Sequence, residues 1–405
     1  MKVLMINPVC GIGSTGRICA DLAVMLEARG HDVKIAYGRG IVPERYQKYA
    51  VKIGGKLDAP LHALKARLAD ATGFGSKAAT KCFIRWVKEF DPDVIHLHNL
   101  HGYYVNLDVL FAYLRSCGKP ILWSFYDCWS FTGHCAHFDY NQCNKWKNGC
   151  HDCANLQEYP QSYLNRSAKN FQKKQRLFTN IPNLQLILPS GWMQRMVEQS
   201  YMQAYPTHLL PNGIDLQMFQ ENNLISKIDL GIGNKCMVLG VSSVWSKTKG
   251  IEDIISITKK LPQADYQIVL AGQLPSSVRL PENVIHIERT HDITQLCSYY
   301  SAADVFINPT LQETQGLTTV EALACGTPAI IYNSGGAPEC LDDTCGIVVP
   351  RGDVDGMIQA LEDIRTGKRQ FSPEDCKAAA QKYSKDDLYQ PFLALYARLT
   401  NGEEK

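Results

Sequence analysis

Two separate series of short apolar runs, each alternating with amphipathic helical segments, constrain this chain more than any other feature. The first series places strand candidates at Lys2–Asn7, Asp32–Tyr37, Val94–Leu97, Ile121–Phe125 and Leu184–Pro189, with helices such as Gly16–Ala28 and Ala78–Glu89 between them. The second places strands at Met237–Ser242, Gln267–Ala271, Val284–Ile287, Val305–Asn308 and Ala329–Tyr332. Near-continuous apolar strands need cover on both faces, so the pattern predicts parallel sheets sandwiched by helices. Around Leu209–Asp215 the alternation pauses in a turn-rich junction, Leu-Pro-Asn-Gly-Ile-Asp. The expected fold class is α/β: two doubly wound domains facing across a cleft, residues 1–212 and 213–384. Residues 385–405 are expected to form a final helix, Lys385–Leu399, packing back toward the first domain, and a polar end. In such folds ligands bind at the carboxyl ends of the strands.

The charge balance is +2 over 405 residues, which gives no general attraction to nucleic acid. The opening Met-Lys-Val-Leu-Met-Ile-Asn-Pro is too short an apolar run for a signal peptide and reads as a buried strand. No stretch approaches the roughly 18 apolar residues of a spanning helix. A cytoplasmic location is expected, peripheral to the inner face of the cell membrane at most.

The chemistry concentrates in Pro309–Pro328. Glu313 and Glu321 stand eight positions apart across Gly316 and the start of an apolar helical pattern that Gly326 and Pro328 stop. A helix opening near Leu317 offers free backbone N–H groups and the positive end of its dipole, a ready site for a diphosphate. Glu321, about 6 Å further along the axis, can accept hydrogen bonds from hydroxyls the phosphates do not reach. Lys249, in the loop Ser242–Gly250 between a strand and a helix, can neutralise a leaving diphosphate; the alternative is a solvated loop lysine.

Gly11-x-Gly13-x-x-Gly16 follows the first strand with the spacing of a dinucleotide fingerprint. The second strand, however, ends Ala36-Tyr37-Gly38-Arg39 without the carboxylate an NAD ribose needs. Arg39 suits a 2′-phosphate, so an NADP-dependent oxidoreductase is one alternative function. A tight structural turn is a second reading. The preferred one is a glycine loop, with Gly13 approaching a ligand from the opposite wall of the cleft.

Lys249-Gly250, the Glu313–Glu321 pair, Ala322-x-Ala324-x-Gly326-x-Pro328, Gly335-Gly336-x-Pro338-Glu339 and Pro211-Asn212-Gly213-Ile214-Asp215 occur together. This set resembles the retaining glycosyltransferases of the group 1 family (family 4), over essentially the whole chain. The resemblance implies a GT-B fold of two Rossmann-like domains, the C-terminal one holding a nucleoside-diphosphate sugar. It also implies metal-independent transfer with retention, to a hydroxyl of a glycan or lipid-linked acceptor, in cell-surface polysaccharide biosynthesis. By that analogy Glu321 binds the ribose hydroxyls. Glu313 and the backbone N–H groups at Gly316, Leu317 and Thr318 hold the donor, and Lys249 holds the diphosphate. A non-catalytic sugar-nucleotide binding protein would keep Glu321 but lack turnover.

Two departures from the family pattern stand out. Val244 occupies a position where arginine is common, with Trp245 beside it and Lys247 nearby. Tyr126, in Ser124-Phe125-Tyr126-Asp127-Cys128-Trp129, stands where a histidine touching the donor sugar is expected. It can donate a hydrogen bond but does not titrate near neutral pH, and it is carried as a catalytic candidate. His98, His101 and His134 are the imidazoles near it in sequence, candidates for the cleft or the acceptor, with structural hydrogen bonding as the alternative.

Fifteen cysteines is a high number. Cys236, Cys297 and Cys325 sit in apolar surroundings and read as buried free thiols. Cys135-x7-Cys143-x6-Cys150-x2-Cys153 has ligand types and an ending that suit a structural zinc; free thiols and disulfides are the alternatives. Lys52–Lys88 carries eight Lys and Arg, with Leu57, Leu61, Leu64 and Leu68 at helical spacing. Such a basic amphipathic helix can rest on an anionic membrane, or its leucines can face the core.

Overall fold

The computed structural model describes residues 1–401. The chain divides into two compact units, Met1–Leu210 with the chain from Tyr389 onward, and Pro211–Leu388. The first unit is built on seven strands: β1 (Lys2–Ile6), β2 (Asp32–Tyr37), β3 (Ala50–Lys52), β4 (Val94–Leu97), β5 (Ile121–Ser124), β6 (Leu184–Leu188) and β7 (Thr207–Leu209). They lie in the order β3-β2-β1-β4-β5-β6-β7, every neighbouring pair parallel. Its helices are α1 (Gly13–Glu27), α2 (Asp58–Ala69), α3 (Lys77–Phe90), α4 (Leu107–Leu114), α5 (Ser167–Phe178) and α6 (Gly191–Glu198). β4 and β5 are buried at every position, as expected for strands covered on both faces.

The second unit carries β8 (Cys236–Val244), β9 (Tyr266–Gln273), β10 (Val284–Ile287), β11 (Val305–Asn308), β12 (Ala329–Tyr332) and β13 (Gly346–Val349). Their order is β10-β9-β8-β11-β12-β13, again all parallel. The helices are α7 (Ile251–Lys260), α8 (Ile293–Ala302), α9 (Leu317–Ala324), α10 (Val354–Arg365), α11 (Pro373–Gln381) and the short α12 (Lys385–Leu388). α13 (Gln390–Asn401) returns to the first unit. Both units are thus doubly wound, as the alternation predicts. Each has one point where the strand order reverses: β1 against β4, and β8 against β11.

Three strands escape the sequence pattern: β3, β7 and β13. All three are sheet edges, and an edge strand is short and covered less completely, so its apolar signal is weak. The expected single helix over Lys385–Leu399 is corrected to two, α12 and α13, divided at Tyr389. Pro391 cannot donate a backbone hydrogen bond within a continuous helix but is tolerated in a first turn. Tyr396 of α13 reaches His96 of β4 with its hydroxyl, and the other ring nitrogen of His96 lies 2.8 Å from Ser124 Oγ. That buried, satisfied imidazole anchors the last helix to the sheet; each such bond contributes about 1 kcal/mol.

The zinc expectation is also corrected. Cys135, Cys143, Cys150 and Cys153 line one small apolar pocket with Phe138 and Trp146. Among the described residues, however, no group of three or more His, Cys, Asp or Glu is placed to hold a metal ion, and all fifteen cysteines are free thiols. An aromatic cluster organises this segment instead. The rings of Phe138 and Trp146 stack at 4.9 Å, and Phe131 meets Trp146 at 5.3 Å. The amine of buried Lys174 lies 3.8 Å from the Trp129 ring, donates to the Trp129 carbonyl and interacts with Cys150 and Cys135. Among the described residues no helix is long and apolar enough to cross a membrane.

Candidate functional site

The Pro309–Gly316 loop leaves the carboxyl end of β11, and the Trp245–Gly250 loop leaves that of β8. The two strands flank the reversal point of the second sheet. Residues far apart in sequence meet there for topological reasons, at the place where doubly wound sheets bind ligands.

Local structure fixes both loops. Lys247–Lys249 form a single 3-10 turn capped by Ser246, whose Oγ accepts from the Lys249 amide at 3.3 Å. Gly250 ends the turn at φ +76°, and a Cβ there would stand 2.1 Å from the Pro309 carbonyl oxygen. Only glycine lets the β8 loop lie this close to the β11 loop. Leu311 N donates to the Thr248 carbonyl at 2.8 Å and closes the contact. Lys249 Nζ then lies 2.8 Å from Glu313 Oε2.

Glu313 is held by its backbone as well. Its carbonyl accepts from Gly336 N at 2.9 Å. Gly335, at φ +59°, packs so close that a Cβ would stand 1.8 Å from the same oxygen. The Gly335-Gly336 pair therefore fixes the position of Glu313.

Gly316, at φ +96°, precedes α9. Among the described residues the amides of Leu317 and Thr318 have no protein acceptor within the loop, as at any helix start. Glu321 lies further along α9 and accepts from the Tyr300 hydroxyl at 3.0 Å. Burial, with Glu321 beside it, holds the Tyr300 phenol protonated. Sequence reasoning missed Tyr300; its place in an apolar helical pattern disguises a polar task. It also missed Gln315. That buried amide accepts from Asn212 N at 2.9 Å and from Asn212 Nδ2 at 2.8 Å, and donates to the Asn212 carbonyl at 2.8 Å. Val244 is exposed at the end of β8, while Trp245 is buried and donates to the Ala271 carbonyl. Lys247 is exposed and pairs loosely with Glu252 at 3.9 Å. An open recess of about 990 Å³ in this unit lies at the opposite end of the strands, lined by Cys236, Asp304, Thr327 and Pro328 near the amino ends of β8, β11 and β12.

In the first unit, Gly13 opens α1 at φ +63°, and a Cβ there would meet nothing within 4 Å. Gly11 and Gly16 are different: a Cβ would stand 2.3 Å from the Tyr46 ring or 2.9 Å from Val9. The spacing of the glycine motif thus reflects packing at two positions and open backbone at one. His98, fully buried, sets Nδ1 2.9 Å from the Tyr126 hydroxyl, with the rings nearly parallel at 5.9 Å. Burial lowers His98 to about 3, so it is neutral at physiological pH. Burial raises Tyr126, so neither group of this pair is charged.

His101 sets Nε2 2.6 Å from Asp127 Oδ2 and Nδ1 2.9 Å from the Tyr159 hydroxyl. Burial opposes the Asp127 charge, yet His101 holds its carboxyl below the usual range. Asp127 and Tyr159 were not singled out in the sequence. His134 is placed differently: its Nδ1 lies 2.6 Å from Asp70 Oδ1 in a pair that is almost wholly buried. Asp70 also accepts from Arg166 N at 2.9 Å, and its carbonyl accepts from Asn170. Asp70 therefore ties the end of α2 to both the His134 loop and the start of α5, and His134 is one of its partners.

Residues 15–218 match the family described as Glycosyltransferase Family 4, and residues 235–366 match the one described as Glycosyl transferases group 1. A similar curated protein is the putative colanic acid biosynthesis glycosyl transferase WcaC of Escherichia coli K12. It is 23% identical over 374 residues, 89% of this chain and 90% of WcaC. The alpha-monoglucosyldiacylglycerol synthase of Streptococcus pneumoniae is 30% identical over 167 residues, 37% of each chain. Among solved structures, sucrose-phosphate synthase of Thermosynechococcus elongatus matches with a TM-score of 0.74 at 17% identity, over 99% of both chains. Anabaena Alr3699/HepE in complex with UDP matches with a TM-score of 0.66 at 16% identity, over 98% of this chain and 100% of that one. At these identities the structural likeness concerns the fold, which is that of GT-B glycosyltransferases. The oxidoreductase reading of the glycine loop is not favoured by these matches.

Proposed function

This chain belongs to the family 4 glycosyltransferases, and from that premise we propose that it moves a hexose-type sugar from a nucleoside diphosphate to a hydroxyl of a glycan or lipid-linked acceptor. The observation that carries the reading is the convergence of Lys249, Glu313 and the start of α9 at the reversal point of the second sheet. UDP-glucose in a HepE complex of similar fold supports a nucleotide-sugar donor here. The name of the E. coli relative, a putative colanic acid biosynthesis glycosyl transferase, supports a role in polysaccharide biosynthesis.

The chemistry follows from charge. With no donor bound, Lys249 and Glu313 neutralise each other. Their pair is partly exposed, 38% and 21%, and such pairs are worth about 1 kcal/mol or less. A diphosphate carries more charge than one carboxylate, so it takes over the Lys249 ammonium. Glu313, released, accepts hydrogen bonds from sugar hydroxyls while Gly335-Gly336 keep its backbone in place. The Leu317 and Thr318 amides and the α9 dipole complete the anion site. As the glycosidic bond breaks, charge builds on the leaving phosphate, and fixed donors already aimed there stabilise it. Glu321, oriented by Tyr300, binds the ribose hydroxyls. Glu321, tied to Tyr300, and Glu313, committed to the sugar hydroxyls, suit binding better than attack on the anomeric carbon, so we favour transfer without a covalent enzyme intermediate; retention and metal independence are what the family resemblance implies.

In the first unit we assign Gly13 to close backbone approach and Tyr126, with neutral His98, to hydrogen bonding rather than proton transfer. His101, carried by Asp127, positions the Tyr159 hydroxyl for the acceptor; His134 we assign to structure. A thermal-shift screen with UDP, GDP, ADP and NADP tests the core of the reading. One nucleoside diphosphate should raise the melting temperature of the wild type, and Glu321→Ala should reduce that shift at the same nucleotide concentration. Stabilisation by NADP alone would refute it.

A further inference from the structure

Helix α2 presents its apolar stripe to the outside. Leu57, just before the helix, and Leu61, Leu64 and Leu68 are 71%, 62%, 53% and 53% exposed. At about 100° per residue these four fall within an arc of about 60°. The buried residues of the helix, His62 and Ala66, lie about 130° and about 170° from the centre of that arc. The helix is anchored on that inner side, where His62 Nε2 accepts from the amides of Gly73 and Gly75 at 3.1 and 3.0 Å. An ordinary surface helix turns its leucines to the core; this one is held the other way round.

The flanks are basic. Lys65 lies on one side of the stripe and Arg67 on the other, about 70° and 90° from its centre, and Lys56 precedes the helix. The one acid of the helix face, Asp58, is turned to the Gly55 amide at 2.7 Å. Beyond the helix end the patch continues: Tyr163 and Leu164 are 62% and 48% exposed. Tyr163 N donates to the Arg67 carbonyl at 2.8 Å, and the Arg67 guanidinium lies 5.5 Å from the Tyr163 ring.

We propose that this face docks on an anionic lipid bilayer, with α2 lying in the interface, its leucines among the acyl chains and its cations at the headgroups. Charge decides between occupants. A symmetric contact with a second copy would set the same basic flanks against each other, whereas an anionic headgroup layer complements them on both sides. The inference is independent of the donor site, since no residue of that site belongs to the patch.

Flotation with vesicles of phosphatidylcholine alone, and of phosphatidylcholine with phosphatidylglycerol, tests it on the full chain. The wild type should bind only the anionic vesicles. Binding should weaken between about 0.1 M and about 1 M salt, as screening shortens from about 10 Å to about 3 Å. Leu61→Glu with Leu64→Glu, and separately Lys65→Glu with Arg67→Glu, should each lower partitioning at least about tenfold. Unchanged melting temperature and nucleotide-induced shift show that these variants are folded and that the donor site is intact. The proposal is overturned if the wild type ignores anionic vesicles or if the variants bind as it does. It is equally overturned if sedimentation velocity shows a wild-type dimer that the leucine variants convert to monomer.

Discussion

Gly335→Ala is the sharpest probe of how the donor loop is held. The added Cβ would stand 1.8 Å from the Glu313 carbonyl oxygen. Carbon–oxygen contacts settle at about 3.3 Å, so the two segments must separate by about 1.5 Å. The residue must also hold φ near +59°, which costs an L-residue about 1–2 kcal/mol. Relaxation breaks the 2.9 Å bond from Gly336 N to Glu313 O, another 1 kcal/mol or so. The total, about 2–3 kcal/mol, is too small to unfold most domains. Moving Glu313 by more than an ångström, however, should lower kcat/KM about 100-fold. Gly352→Ala is the control: its φ is +80°, yet a Cβ there meets nothing within 4 Å. It imposes the dihedral cost without the clash. Transfer from the nucleotide sugar selected by the thermal-shift screen should be near normal in Gly352→Ala and nearly lost in Gly335→Ala, with both variants folded by circular dichroism. Activity of Gly335→Ala within threefold of the control would refute the view that the glycine pair positions Glu313.

Three further outcomes are expected. Lys249→Ala should lower kcat by more than an order of magnitude, because a donor aimed at the leaving phosphate is removed; single-turnover kinetics check this. Glu321→Ala should weaken nucleotide binding by about tenfold or more in calorimetry, since hydrogen bonds to a charged group contribute about 1.5–3 kcal/mol, while Tyr300→Phe should show a smaller loss. Burial lowers Lys174 from 10.5 to about 7, so between those values the unfolded chain binds a proton the native chain does not. Native stability should therefore rise with pH across that window, and the penalty is fully present below it. Lys174→Met should raise the melting temperature relative to wild type more at pH 6 than at pH 9; a difference independent of pH would contradict the buried, lowered amine.

Local pattern carried the architecture. Apolar runs such as Ile121–Ser124 report burial on two faces within four residues, and Gly316 followed by Leu317–Ala324 reports a helix start. Neither depends on distant parts of the chain. The short edges β3, β7 and β13 left little trace because half their surroundings are not sheet. Lys385–Leu399 read as one helix because periodicity continues through Tyr389, although Pro391 marks the restart. The cysteine spacing gave the right residue types for a metal and brings all four to one pocket, but among the described residues no three are placed to hold an ion, and Phe138 with Trp146 packs the segment instead.

From the order of its strands, helices and glycine turns the sequence alone determined two doubly wound units and the segment in which α9 begins. Those features rest on interactions between near neighbours, whose geometry the backbone dictates. The tertiary structure decided what each polar group faces. Lys249 meets Glu313 across 64 positions, and Tyr300 meets Glu321 through the packing of α8 on α9. The same holds for the leucines of α2: their spacing defines a stripe, but a stripe has no inside or outside until His62 binds the Gly73–Gly75 turn and turns the helix over.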